Sequence, residues 1–208
     1  MEELQYISQG NTALEQQKNI HQSLDAGVKW VQVRWKNAPE SLLRELSHKA
    51  KILCAEYHAV CIINDHTEIA KEVDADGVHL GLSDGSVKKA RRILGPHKII
   101  GGTANTFSDV QLRIEEECDY IGLGPLRYTP TKEKLSPVLG FDGYRHIYQK
   151  LNEQSAELPK IYAIGGVILN DIETLKEIGL HGVAISGEIT GKPQITYEIQ
   201  KLLKCITN

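Results

Sequence analysis

The stretch IYAIGGVILNDIETLKEIGLHGVAIS (161–186) decides the fold, because it contains one complete strand–helix–strand unit. Two short runs rich in apolar and β-branched residues, IYAIGG (161–166) and GVAIS (182–186), have the length and composition of buried strands. Between them, apolar residues recur at helical spacing, at Ile172, Leu175 and Ile178. Gly179 marks the end of that helix. Continuous apolar strands joined through a helix are typical of a parallel sheet covered by helices.

The same unit repeats along the whole chain. Six further apolar runs precede it, at 4–8, 30–35, 59–65, 76–81, 98–103 and 119–124. Segments with apolar residues three and four positions apart separate these runs. Signals for helix starts are the capping-box spacings of Thr12 with Glu15 and Asn170 with Glu173, and an N-cap at Ser86. The sequence therefore predicts eight strands alternating with eight helices.

This alternation predicts an α/β fold, a single-domain (β/α)₈ TIM barrel over residues 1–208. An open doubly wound sheet is the alternative, but that fold usually has fewer strands. The sequence also lacks a G-x-G-x-x-G motif after the first strand. One connection is longer than the others, GPLRYTPTKEKLSPVLG (124–140), after the sixth strand. A long loop on the catalytic face of a barrel predicts an active-site lid.

Composition excludes several classes of protein. The chain has 24 Lys and Arg, 27 Asp and Glu, a net charge of −3 and 41% hydrophobic residues. Disordered chains have lower hydrophobicity or higher net charge. The isoelectric point near 6.2 disfavours nucleic acid as a partner, and no apolar run is long enough to span a membrane. With no signal peptide and no C-x-x-C pair, we expect a cytoplasmic protein.

Polar residues follow the ends of the predicted strands, where the active sites of barrels lie. Gln32, Arg34 and Lys36 alternate along the second strand, so their side chains share one face. A guanidinium and an ammonium on one face suit a phosphate or a pyrophosphate. The alternative is a strand end whose charges simply reach solvent.

Oxygen ligands follow the third and fourth strands. Asn64, Asp65 and Asp84 supply the hard oxygen atoms that Mg²⁺ prefers, together with substrate phosphates. The alternative role of Asp65 is to cap the helix that begins near Thr67.

Glycine-rich turns follow the seventh and eighth strands, at Gly165-Gly166 and Ser186-Gly187. Such turns form the usual phosphate pocket of this fold, because glycine lets backbone N–H groups approach an anion. The alternative is that they are only tight turns. His79 lies inside a strand and is interpreted as a buried histidine with its hydrogen bonds satisfied.

Taken together, these motifs resemble the thiamine-phosphate synthase family. The motifs are Q-x-R-x-K at 32–36, I-I-N-D at 62–65, D-G-V-H-L-G at 76–81, D-Y-I-G-L-G-P at 119–125, T-P-T-K at 129–132, I-G-G at 164–166 and I-S at 185–186. They occur in the family's order and cover nearly the whole chain. The resemblance implies Mg²⁺-dependent condensation of hydroxymethylpyrimidine diphosphate with hydroxyethylthiazole phosphate. The products would be thiamine phosphate and pyrophosphate, formed through a pyrimidine carbocation.

The resemblance also implies roles for the matching residues. The pyrimidine diphosphate would be bound by Gln32, Arg34, Lys36, Asn64, Thr103 and Lys132. The thiazole phosphate would be bound by Thr129, Thr131, Gly165, Gly166, Ile185 and Ser186. Mg²⁺ would be bound by Asp65 and Asp84. The catalytic residues, which would stabilise the departing pyrophosphate, would be Arg34, Lys36 and Lys132.

The sequence departs from the family pattern at a few places. Leu82 replaces a glutamine, Gly102 replaces an apolar residue, Asn105 replaces a histidine and Tyr6-Ile7-Ser8 replaces a strand end with Thr-Asp. These departures are expected to bear on contacts with the substrates. The oligomeric state is not given by the sequence.

Three other functions are alternatives for a chain with these residues. A thiazole tautomerase has the same fold, and a phosphosugar epimerase or aldolase is a more distant barrel enzyme. A non-catalytic, phosphate-binding regulatory barrel is the third. Retention of Asp65, Asp84 and the Q-x-R-x-K motif argues against a tautomerase, which handles no diphosphate, and against a regulatory barrel.

Overall fold

The computed structural model describes residues 1–129, 137–153 and 158–205. Within these residues strands and helices alternate strictly, and a 3₁₀ turn (Leu169–Asp171) precedes the seventh helix. The elements are β1 (Leu4–Ile7), α1 (Ala13–Asp25), β2 (Trp30–Val33), α2 (Glu40–Glu56), β3 (Val60–Asn64), α3 (Thr67–Glu72), β4 (Gly77–Leu80), α4 (Val87–Leu94), β5 (Ile99–Ala104), α5 (Phe107–Glu115), β6 (Tyr120–Leu123), α6 (Gly140–Asn152), β7 (Lys160–Ile164), α7 (Ile172–Ile178), β8 (Gly182–Ile185) and α8 (Pro193–Cys205).

The strands close into a parallel barrel. Each strand pairs with the next along the chain, and β1 pairs with β8, with Gln5 opposite Ala184. This closing pair confirms the predicted (β/α)₈ barrel and excludes the open sheet. Each predicted strand is present, with its ends shifted by at most two residues.

A separate cluster of large side chains fills one end of the barrel interior. This floor cluster consists of Trp30, Ile62, Tyr120 and Tyr162, all of them buried. The Trp30 ring meets the rings of Tyr120 and Tyr162 edge to face, with centroids 4.8 Å and 4.9 Å apart. Such edge-to-face pairs are favourable beyond the area they bury. The cluster therefore closes the barrel below the site described next.

Helix starts follow two of the three predicted signals. The Thr12 hydroxyl accepts a hydrogen bond from Glu15 N at 3.2 Å, and the Ser86 hydroxyl accepts one from Lys89 N at 3.4 Å. The capping box predicted from Asn170 to Glu173 is wrong. Asp171 lies at that helix start instead, where its carboxylate accepts a hydrogen bond from Ile168 N at 2.9 Å.

The described helices include no candidate membrane span, and the described cysteines form no disulfide. No helix within the described ranges is long and apolar enough to cross a membrane. All four cysteines are free thiols, three of them buried and Cys205 exposed.

Candidate active site

A cavity of about 750 Å³ opens at the carboxyl ends of the strands, above the floor cluster. Predicted site residues on its wall are Gln32, Arg34, Lys36, Asn64, Asp65, Asp84, Thr103, Thr129, Gly165, Gly166, Ile185 and Ser186. Thr131 and Lys132 lie outside the described residues, as does part of the predicted lid at 124–140. The structure therefore brings together every predicted site residue that it describes.

One side of the cavity is charged, and we call Arg34, Lys36, Asp65 and Asp84 the charged rim. The backbone N–H of Arg34 donates to the Ser8 hydroxyl at 2.9 Å, which fixes the end of β2 against β1. Burial lowers the pKa of Arg34, and the nearby carboxylates Asp65 and Asp84 oppose this shift. Lys36 Nζ lies 3.7 Å from Asp65 Oδ2. Two cations thus flank a carboxylate at the cavity mouth.

The two aspartates of the charged rim lie against each other. The pKa of Asp65 is raised to about 6, first by burial and then by the hydrogen bond and negative charge of Asp84, while Lys36 and Arg34 oppose the shift. The Asp84 side chain lies against Gly81, which follows β4. A Cβ added to Gly81 would lie only 2.1 Å from Asp84 Oδ2. Burial and the neighbouring carboxylate of Asp84 therefore both disfavour the charged form of Asp65.

The donor set of this pair suits a hard divalent cation. A cation between the two carboxylates would favour the charged form of Asp65, against the burial and the Asp84 charge that raise its pKa. Among the described residues, no group of three or more His, Cys, Asp or Glu side chains could hold a metal ion. Mg²⁺ is commonly bound through one or two carboxylates plus substrate phosphates, so two aspartates suffice.

The alternative role of Asp65 as a helix cap is wrong. The N-cap position of α3 is His66, and no side chain in the described structure makes a capping hydrogen bond there. Asp65 instead has a left-handed backbone, with φ of +65°, and its N–H donates to the His79 carbonyl at 2.8 Å. A left-handed aspartate is uncommon, and this conformation places its side chain on the cavity wall.

The polar groups above the floor cluster are linked through hydrogen bonds. His79 is buried, and its two ring nitrogens lie 3.0 Å from the hydroxyls of Tyr120 and Thr103. This agrees with the interpretation of His79 as a satisfied buried histidine. Gln5 bonds to both Tyr120 and Gln32. Sequence reasoning missed Gln5 and Tyr120, although Gln5 is the one polar residue inside the apolar run at 4–7.

The opposite side of the cavity is made of turns, and we call Gly165, Gly166 and Ser186 the glycine rim. Gly165 and Gly166 have φ values of +80° and +74°, which side chains rarely adopt. A Cβ on Gly166 would lie 2.8 Å from Arg127 Cβ, so the turn also lacks space for one. The described part of the loop after β6 lies directly against this turn, since Arg127 N donates to Gly165 O at 2.9 Å.

An ion pair that sequence reasoning missed holds the glycine rim. Arg127 Nη2 donates to Asp171 Oδ1 at 2.7 Å, and Arg127 Nη1 donates to the Gly166 carbonyl at 3.0 Å. The Asp171 side chain is only 4% exposed, and it raises the pKa of Arg127. The arginine therefore ties the loop after β6 to the turn after β7.

One departure from the family pattern lies behind the cavity. A Cβ on Gly102 would lie 2.6 Å from Arg113 Cδ, so the missing side chain of this residue faces Arg113. The missing side chain makes room for the buried Arg113, which donates to the carbonyls of Thr103 and Gly81 at 3.0 Å each. Leu82 and Asn105 do line the cavity.

Comparisons with known proteins show which family the chain is similar to. The sequence model of the family described as thiamine monophosphate synthase matches residues 6–189. A thiamine-phosphate synthase of Flavobacterium johnsoniae is 54% identical over 199 residues, covering 96% of this chain and 93% of that protein. Another, of Flavobacterium psychrophilum, is 50% identical over 187 residues, covering 90% of each.

A solved structure shares both fold and sequence with the chain. The thiamine phosphate pyrophosphorylase of Pyrococcus furiosus has a TM-score of 0.83 and 26% identity, covering 99% of this chain and 97% of that one. The family match spans most of the chain, and the relatives match over nearly their whole lengths. The chain therefore belongs to the thiamine monophosphate synthase family, a family of transferases in thiamine biosynthesis.

Proposed function

We propose that the chain joins hydroxymethylpyrimidine diphosphate to hydroxyethylthiazole phosphate and releases pyrophosphate. The observation that carries this proposal is the division of one cavity between two anion sites. The charged rim suits a diphosphate with its metal, and the glycine rim suits a single phosphate. A cavity of about 750 Å³ is large enough to hold two small substrates at once.

The charged rim would bind the diphosphate. Arg34 and Lys36 would donate to its oxygens, and Asn64 extends the same edge from β3. Lys132 is proposed to join them from the loop, although it lies outside the described residues. Asp65 and Asp84 would hold Mg²⁺, which supplies positive charge to stabilise the leaving pyrophosphate.

The proposed reaction is a dissociative substitution. The C–O bond between the pyrimidine methylene and the diphosphate breaks, and its electron pair leaves with the pyrophosphate. The thiazole nitrogen then supplies the electron pair of the new C–N bond. Arg34 and Lys36 would stabilise charge on the departing group, so no protein nucleophile is required. Water would capture the carbocation, which gives the walls of the cavity and a closing loop at 124–140 a role in excluding it.

The glycine rim would bind the thiazole phosphate. Backbone N–H groups near Gly165, Gly166 and Ser186 would donate to the phosphate, because glycine lets the backbone approach an anion closely. Ile185 and Thr129 line the same side of the cavity and would contact the thiazole. This places the two substrates on opposite rims, with the reacting atoms between them.

A two-substrate assay tests the proposal. Purified chain with both substrates and Mg²⁺ should form thiamine phosphate and pyrophosphate in equal amounts. Neither product should form when one substrate or Mg²⁺ is left out. Folded protein that forms no thiamine phosphate would refute the synthase proposal. Isomerisation of the thiazole phosphate alone would instead indicate the tautomerase.

A further inference from the structure

Five buried polar side chains form one continuous hydrogen-bonded chain across the barrel interior. Gln32 Nε2 donates to Gln5 Oε1 at 3.1 Å, and Gln5 Nε2 donates to Tyr120 Oη at 3.2 Å. Tyr120 Oη lies 3.0 Å from His79 Nδ1, and His79 Nε2 lies 3.0 Å from Thr103 Oγ1. All five residues are at most 8% exposed. We call these residues the interior chain.

The directions of these bonds are linked. Gln5 uses its amide nitrogen for Tyr120, which leaves its oxygen for the Gln32 amide. The Tyr120 oxygen accepts from Gln5 and has one proton of its own, which is then available for His79 Nδ1. Burial raises the pKa of Tyr120, so that proton stays on the hydroxyl at neutral pH. A neutral His79 with the proton on Nε2 then donates to Thr103.

Both ends of the interior chain reach the proposed pyrimidine site. Gln32 and Thr103 line the cavity from β2 and β5. With the bonds in this direction, Gln32 presents its carbonyl oxygen as an acceptor and Thr103 directs its hydroxyl proton away from His79. An aminopyrimidine carries an exocyclic amine that donates and ring nitrogens that accept, so it complements this pattern.

We propose that Tyr120, acting through Gln5 and His79, is a positioning residue that sets the hydrogen-bond polarity of the pyrimidine site. The proposal rests on the proposed function, because it names the aminopyrimidine as the group recognised. Tyr120 lies at the centre of the interior chain. Removing its hydroxyl leaves Gln5 and His79 without their shared partner, and both ends then lose a defined direction.

The floor cluster supplies a matched control. Tyr162 lies beside Tyr120, with ring centroids 5.8 Å apart, and Trp30 packs against both rings. The Tyr162 hydroxyl donates to the carbonyl of Glu2 at 2.8 Å, outside the interior chain. Tyr162→Phe thus removes the same atom from the same cluster without touching Gln5 or His79.

Steady-state kinetics of the two variants test the proposal. Tyr120→Phe should raise KM for the pyrimidine diphosphate about tenfold, while KM for the thiazole phosphate changes less than about twofold. Tyr162→Phe should keep both values near those of the wild type. An equal effect of both variants, or an equal rise of both KM values, would overturn the proposal. A wild-type chain without synthase activity would refute the proposed function instead.

A spectroscopic measurement does not depend on activity. Nitrogen NMR of ¹⁵N-histidine-labelled wild-type protein should show a neutral His79 ring with its proton on Nε2. Tyr120→Phe should shift the ring toward a mixture of tautomers, whereas Tyr162→Phe should not. A wild-type ring with its proton on Nδ1 would reverse the inferred direction and contradict the proposal.

Discussion

The two rims of the cavity would bind anions by different physical means. The charged rim offers side-chain charges near strand ends, and burial together with the neighbouring Asp84 raises the pKa of Asp65 there. The glycine rim uses backbone and lacks space for a side chain, as the close approach of Arg127 to Gly166 shows. Changes in the charged rim should therefore affect activity more than folding. Changes in the glycine rim should affect both.

The largest expected effect is from Asp65→Asn in the charged rim. The variant keeps the shape of the side chain and removes the charge proposed to hold Mg²⁺. Turnover should fall about 100-fold or more, with no loss of thermal stability. Steady-state assays and thermal melts measure the two effects. Asp142→Asn is the control, because that carboxylate is 98% exposed and its ion-pair partner is Arg145, which lies outside the charged rim.

A variant that mainly unfolds the protein would contradict this prediction. It would mean that Asp65 serves the fold rather than the reaction, despite the absence of a capping hydrogen bond among the described residues.

The next effect is expected from Gly166→Ala in the glycine rim. The added Cβ meets both an unfavourable φ of +74° and Arg127 Cβ at 2.8 Å. We expect a loss of about 1–3 kcal/mol in unfolding free energy. The displaced turn should also raise KM for the thiazole phosphate about tenfold, with little change for the pyrimidine diphosphate.

Gly191→Ala separates the two causes. Gly191 has a similar φ of +68°, but a Cβ there would meet nothing within 4 Å. This variant should lose stability through backbone strain alone and keep both KM values. Equal kinetic effects of the two variants would contradict the role given to the glycine rim.

A smaller effect is expected from Arg127→Met, which removes the ion pair beneath the glycine rim. The carboxylate of Asp171 would keep its bond from Ile168 N and lose its cation. The cost should be about 1–2 kcal/mol, reduced because the Arg127 side chain is 43% exposed. Chemical denaturation measures it. If Asp171→Asn costs the same and the double variant costs no more, the two residues act as a pair.

Sequence alone predicted the barrel and the four residues of the charged rim. The strands are continuous apolar runs, and parallel strands bring their carboxyl ends to one face, so Arg34, Asp65 and Asp84 had to meet there. The helix caps predicted at Thr12 and Ser86 are also confirmed. These features depend on short stretches of chain or on the symmetry of the fold.

The features that sequence missed depend on contacts between distant residues. The capping box at Asn170 failed because Asp171 is fixed at the helix start by Arg127, 44 residues away. Nothing near Gln5 in the sequence indicates that it bonds to Tyr120, 115 residues away. Nothing near Gly102 in the sequence indicates that its missing side chain leaves space for Arg113.

The smallest expected effect is a pH-dependent difference in stability between the rims. Asp65 has a pKa of about 6 in the folded protein, against an ordinary value of 3.8. The folded state therefore holds this proton more tightly than the unfolded state does. In metal-free protein, its contribution to stability is present below about pH 4 and is lost as the pH rises through about 6.

Thermal melts of metal-free wild type and Asp65→Asn between pH 4.5 and 8 measure this difference. The variant should gain on the wild type as the pH rises, reaching a lead of at least about 2 °C above pH 7. Gly166→Ala changes no charge, so its deficit against the wild type should stay constant over the same range. A constant difference for Asp65→Asn would mean that neither burial nor Asp84 raises the pKa of Asp65 in the folded protein. The contrast between a titrating charged rim and a glycine rim without a titrating group would then fail.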